Sequence, residues 1–360
     1  MKKSIFAVLA VSAISGAYAQ SNVTLYGTID EGFLSTHKTE PVREGSGRTT
    51  TNGLSSNVMS ATKFGLKGAE DLGSGSQAIF NAEIGLNQGS DYNTNKGNLD
   101  LRQAYVGLQN STYGKLTLGK QYTEAYEVIK ASDASKSTKL AGSIFSHDNV
   151  LFNQAGNSAK YSYGTPLLTG FVNYATDSGT SDGDGFGNAH SHSVSGIELG
   201  GKGNYGNLGY ALVYGNGKTT LKDSGLGNFY AKQNYWIANA NYDFGIAKVG
   251  YTYFKTNYTN PSFVGTGAPY VIGGSFDHEG TNAALHQISV TAPITAQLDG
   301  FASILRGSHQ GQLRGGQIGL DYKFSKRTDV YAAAGTESHY RGIENGERAT
   351  TYGFGLRHSF

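Results

Sequence analysis

The chain has 360 residues, with 52 glycines, 24 tyrosines, 17 phenylalanines, no cysteine, 16% charged residues and a formal charge of +2. Without cysteine there is no disulfide framework, thiolate zinc site or cysteine nucleophile, and the aromatic content with so small a net charge argues against disorder. Scarce charge beside abundant glycine is equally unlike a cytosolic α/β enzyme or a helical membrane protein.

In chain order, the first element is a targeting segment. A basic start at Lys2 and Lys3, an apolar run from Ile5 to Val11 and small residues ending in Ala17-Tyr18-Ala19 mark residues 1–19 as a cleavable secretory signal. The run is too short to cross a bilayer. Removing Lys2 and Lys3 leaves the bases equal in number to the 27 acids, so no net field draws nucleic acid.

From Asn22 onward the pattern is strand after strand with period-two alternation. Sixteen strands are predicted, starting near residues 22, 58, 76, 99, 114, 156, 170, 192, 207, 232, 246, 281, 297, 314, 328 and 348. The last is the clearest: Tyr352, Phe354, Leu356, His358 and Phe360 share one face, Gly353, Gly355, Arg357 and Ser359 the other. Short turns alternate with long connections, namely 35–57, 88–98, 121–155, 179–191, 219–231 and 259–280. One face carries aromatic and aliphatic side chains and the other Gly, Asn, Ser and Thr, which suits lipid outside and water inside. The expectation is an all-β, 16-stranded antiparallel transmembrane up-and-down β-barrel occupying residues 20–360 as one domain. Closure satisfies every backbone group in lipid.

Several strings in order carry a family resemblance. They are Val23-Thr-Leu-Tyr-Gly-Thr-Ile-Asp30, Lys63-Phe-Gly-Leu-Lys-Gly-Ala-Glu-Asp-Leu-Gly73, Leu101-Arg-Gln-Ala-Tyr-Val-Gly-Leu108 with Leu118-Gly-Lys-Gln-Tyr122, and the C-terminal pair Leu320–Tyr331 and Gly355–Phe360. The chain resembles the trimeric general porins of the Gram-negative outer membrane, in the subfamily common in beta-proteobacteria. The resemblance implies a homotrimer in the outer membrane, forming a water-filled channel for passive diffusion of ions and small hydrophilic solutes. It implies contact with outer-membrane lipid and lipopolysaccharide, and recognition of the C-terminal strand, ending in Phe360, by the barrel-assembly machinery.

The resemblance also locates a constriction. The third long loop, 121–155, folds inward and brings Glu124, Glu127, Asp133 and Asp148, while the facing wall carries Lys63, Arg102 and Lys160. Alternation agrees for Lys63: with Phe64 and Leu66 outward, Lys63, Gly65 and Lys67 face the lumen, since a midplane lysine on the lipid side costs about 2–4 kcal/mol. Two departures stand out. Lys63 replaces the family's arginine, and the loop lacks a Pro-Glu-Phe-Gly-Gly string and carries Lys130, Lys136 and Lys139. These bases point to a weak anion preference.

Competing chemistry is thin. Gly201-Lys-Gly-Asn-Tyr-Gly206 matches a dinucleotide fingerprint in a strand-and-turn context without a following helix, so turn glycines are expected. Asp182-Gly-Asp-Gly185 lacks the remaining EF-hand ligands, and His190 and His192 are read as loop residues. No enzyme, metal or cofactor is expected. The alternatives are a substrate-specific channel, which needs an aromatic slide or arginine cluster, an adhesin-like barrel acting through loops 35–57 and 259–280, and a soluble β-rich secreted domain.

Overall fold

The computed structural model describes residues 22–39, 47–87, 98–135, 137, 139–144, 154–176, 180–183, 189–223, 227–264, 282–308, 311–340 and 347–360. The expected signal at 1–19 and Asp148 lie outside them.

The strands are β1 (Asn22–Thr39), β2 (Arg48–Ser56), β3 (Lys63–Gly73), β4 (Ser76–Asn87), β5 (Asn98–Asn110), β6 (Gly114–Tyr122), β7 (Gln154–Gly164), β8 (Thr169–Ala175) and β9 (Thr180–Gly183). They continue as β10 (Ala189–Tyr205), β11 (Leu208–Asp223), β12 (Gly227–Asp243), β13 (Lys248–Val264), β14 (Ala283–Pro293), β15 (Leu298–Ser308), β16 (Gln312–Lys323), β17 (Thr328–Tyr340) and β18 (Arg348–Ser359). All pair antiparallel. β2 and β3 both pair with β1, and β8 and β9 both pair with β10, so each couple is one interrupted stave and the barrel has sixteen. β18 pairs with β1 from Thr28↔Ser359 to Thr39↔Arg348 and closes it. Phe360 adds the last rung, exchanging two 3.1 Å backbone bonds with Gly27.

Several connections expected as loops are strand. β1 runs to Thr39 and β2 starts at Arg48, within the expected loop 35–57; β11 and β12 consume most of 219–231, and β13 reaches Val264. The β1–β2 extension is largely polar, so hydropathy shows little alternation there. Its side chains pair across the ladder instead: Ser35 Oγ donates to Asn52 Oδ1 at 2.6 Å, and His37 Nδ1 lies 3.0 Å from Thr50 Oγ1.

The start expected near 58 belongs to the interruption in stave two. Residues 57–62 leave the ladder, with Asn57 at φ +63, because Asp30 of β1 draws them in. Its buried carboxylate accepts from Met59 N at 3.0 Å, Ser60 N at 2.6 Å and the Tyr331 hydroxyl. This turn pushes Val58 and Met59 into the lumen.

Outside, Leu25, Leu66, Val106, Leu118, Ile304, Ile318 and Phe354 are exposed in a continuous apolar band, an area that water does not tolerate on a monomer and that lipid covers. Inside, the wall departs from the polar lumen expected. Val213, Ile237, Phe254, Leu285, Leu305 and Leu313 point inward and are buried, because the third loop lies over them.

Candidate functional site

The loop that follows β6 enters the barrel as expected, but its described residues begin with a helix. Helix α1 spans Glu124–Ser132. Thr123 caps it, its Oγ1 accepting from Tyr126 N at 3.2 Å, with Glu124 and Glu127 in the first turn and Lys130 in the last, as the helix dipole favours. Ala125, Val128, Ile129 and Ser132 repeat at helical spacing, and the three apolar ones pack on the inward ridge of Val213, Tyr235, Ile237, Phe254 and Leu285.

A carboxylate from the wall seats the helix. Glu198 of β10, fully buried, accepts from Glu124 N at 2.7 Å, Ala125 N at 2.8 Å and the Tyr235 hydroxyl at 3.0 Å. An anion on exposed N–H groups at a helix start is favoured by their geometry and by the dipole. Glu124 itself is gripped by Lys160, 3.2 Å away, and by Lys202. Burial pushes the Glu124 carboxyl up, but the two ammonium groups outweigh it and hold the group below its ordinary range.

The tip of the loop docks through its backbone. Ala141 N donates to Thr351 Oγ1 at 2.8 Å, Gly142 N to Glu337 Oε2 at 2.9 Å, and Ile144 N to Gln287 Oε1 at 2.9 Å. Gln317 returns bonds to the carbonyls of Leu140 and Ala141. Gly335 makes this approach possible, since a Cβ there lies 2.1 Å from the Ala141 carbonyl oxygen; Gly142, at φ +79, is in the left-handed region. Across the lumen, Ser137 Oγ donates to Val58 O and Lys139 Nζ to Ser56 O, each at 2.5 Å, so the inward turn at 57–62 clasps the tip.

A second cluster joins α1 to the wall of β3–β5. Lys63 faces inward as expected and pairs with Glu83 at 2.7 Å. Glu83, almost fully buried, also accepts from Tyr26 at 2.9 Å and Tyr122 at 2.7 Å. The pairing shifts between Glu83 and Ile84, making Arg102 the extra residue of a bulge on β5. Arg102 lies over Gly85, where a Cβ has no room. Tyr122 and Tyr126 stack at 4.5 Å, with Lys63 5.9 Å from the first ring and Lys130 5.5 Å from the second. Burial, then the nearby Lys63, lowers the proton affinity of Lys130, while Glu127 and Glu83 oppose.

The structure therefore divides the expected residues. Lys63, Arg102, Lys130 and the exposed Glu127 gather around Tyr122 and Tyr126. Glu124 and Lys160 are bound to each other behind the helix start. Asp133 turns back into the loop: 1% exposed, it accepts from Ser135 N at 2.9 Å, Ser135 Oγ at 2.8 Å and Ser143 Oγ, folding the loop on itself. Glu83, Glu198 and Lys202 escaped sequence reasoning, since a carboxylate among alternating strand residues signals nothing about a partner far along the chain. The helix also went unread in the expected loop 121–155, although Thr123 followed by the 125, 128, 129, 132 spacing carries its signal.

A closed barrel with a lipid-facing girdle and a loop folded through its lumen is the architecture on which comparison with known proteins bears. The Gram-negative porin family model matches residues 7–342. The chain belongs to that family. Over its full length, and theirs, this porin is 29% identical to an outer membrane porin of Bordetella pertussis and 27% identical to major outer membrane protein P.IB of Neisseria meningitidis. Among solved structures, the anion-selective porin from Comamonas acidovorans shares its fold, with a TM-score of 0.67 at 18% identity, covering 95% of this chain and 100% of that one. The trimer form of OmpT from Vibrio cholerae follows at 0.61 and 16% identity, covering 94% and 99%. The porin is an outer-membrane channel of sixteen staves, narrowed by its third loop.

Proposed function

We propose that this porin is a homotrimeric diffusion pore with a weak preference for small anions. The observation that carries the reading is the charge around the opening. Lys63, Arg102 and Lys130 stand there against Glu83, Glu127 and Asp100; Glu83 is already engaged by three donors, and Asp100 lies 3.9 Å from Arg102. Bases facing carboxylates that are largely engaged favour anions weakly, without excluding cations. Lys160, Glu124 and Asp133 serve the loop's anchorage rather than the permeating ion. The anion selectivity named for the Comamonas protein and the trimer named for OmpT, both of the same fold, support the reading.

In this reading residues 1–19 are removed on export, the C-terminal strand with Phe360 is what the assembly machinery engages, and the apolar band meets outer-membrane lipid and lipopolysaccharide. The test is single-channel conductance of the purified protein in a planar bilayer, followed by the reversal potential across a KCl gradient. Steps in threes and an anion-signed potential are expected, and Arg102→Glu should move that potential toward cations. An unmoved potential removes Arg102 from the opening.

A further inference from the structure

The outer surface carries charge of one sign at the long-loop end. Alternation sends Lys232, Lys255, His286, Arg306 and Arg314 outward on β12 to β16, all exposed. His286, Arg306 and Arg314 stand directly opposite one another on three successive strands, at the inter-strand spacing of about 4.8 Å. Lys255 is level with Ala284, two residues along β14 from His286. Toward the midplane the same faces present Ile288, Ile304 and Ile318, with Tyr251 opposite Ile288 and its hydroxyl 2.7 Å from His286 Nδ1. Trp236 stands opposite Lys255 and Tyr253 opposite His286, so the basic row lies within the aromatic girdle, at the level of lipid head groups.

Two observations say that this row awaits an anion. Among the described residues no outward side chain on β11–β16 is Asp or Glu, and neither Arg306 nor Arg314 pairs with a carboxylate; Arg314 reaches only the Gln312 amide oxygen, at 3.3 Å. Like charges directly opposite on neighbouring strands destabilise a sheet, and nothing described in the chain offsets the Arg306–Arg314 pair. A phosphate between two guanidinium forks supplies that offset, with paired charge-assisted hydrogen bonds.

We propose that Arg306 and Arg314, flanked by His286 and Lys255, bind a phosphate-bearing lipid head group of the surrounding leaflet. This rests on the lipid contact in the proposed function and gives it a site.

The full-length porin, reconstituted in phosphatidylcholine vesicles, is titrated with diphosphoryl lipid A and with its dephosphorylated form. The phosphorylated lipid should be retained preferentially. At about 1 kcal/mol for each arginine near an anionic surface, the double variant R306Q/R314Q should bind it roughly thirtyfold more weakly. Lys326→Gln, at the short-turn end, should bind as the parent does. Equal binding by the double variant, or equal retention of the dephosphorylated lipid, overturns the proposal. So does displacement by inorganic phosphate at matched phosphate concentration, which makes the row a site for free anion. Conductance of the same samples separates the readings. A conducting double variant is folded, a conducting parent without phosphate-dependent retention ends this inference alone, and a non-conducting parent ends the channel reading whatever it binds.

Discussion

The helix of the constriction loop is held mainly by an apolar stripe and one wall carboxylate, its tip mainly by close backbone approach. Helix α1 leans an apolar stripe on the wall and takes one buried carboxylate, Glu198, across its N-terminus. The tip lays its peptide groups against wall glycines and is met by Thr351, Glu337 and Gln287. The difference implies opposite vulnerabilities: the helical half fails when a side chain is removed, the tip when one is added.

Glu198→Ala should break the comparison hardest. It strands two helix N–H groups and the Tyr235 hydroxyl, and each bond to a charged acceptor is worth about 1.5–3 kcal/mol. The helix should come away, seen as larger and noisier single-channel currents; quiet currents of parental size sink the anchoring role. Gly335→Ala should act next, because its methyl group meets backbone and cannot be absorbed by a rotamer. Overpacking of this kind costs about 1–3 kcal/mol, so limited proteolysis should cut the loop tip faster while α1 stays protected.

Acid should act least, and on the helical half. The Glu124 carboxyl is held below its ordinary value of 4.5, so its pairing with Lys160 and Lys202 contributes fully above that pH and is lost as pH falls through the depressed folded value. Conductance should rise only below about pH 4.5 in the parent, and Glu124→Gln should flatten that rise. An identical acid response in the variant places the titrating group elsewhere.

Much of the barrel was legible because lipid enforces it. Each outward position must be apolar, so strands such as β18 announce themselves by alternation, and glycine-rich turns such as the one at Asp71–Gly75 punctuate them. The polar hairpin at β1–β2 was illegible for the same reason, since outside the bilayer nothing enforces the pattern. At the opening, Lys63 could be placed by parity, whereas Arg102 could not, because a bulge is one residue of slippage that hydropathy does not record. The bonding of Asp133 was not legible, because a carboxylate in a charged loop looks alike whether it faces water or closes a turn on Ser135 and Ser143. The apolar inner wall was the largest surprise: Val213, Phe254 and Leu305 match a surface, α1, that the chain supplies from elsewhere.

Asp30 belongs to the first strand, yet its carboxylate takes the hydroxyl of Tyr331 from the second-last, while the same group sets the turn that clasps the loop tip. Thr351, on the final strand, receives that tip. The seat of the loop tip is thus built from groups more than two hundred residues apart, which meet only when the two ends of the sheet are sewn together. The entropic cost of bringing such distant segments together is the cost of closing the barrel, so sealing the wall and seating the tip are one event.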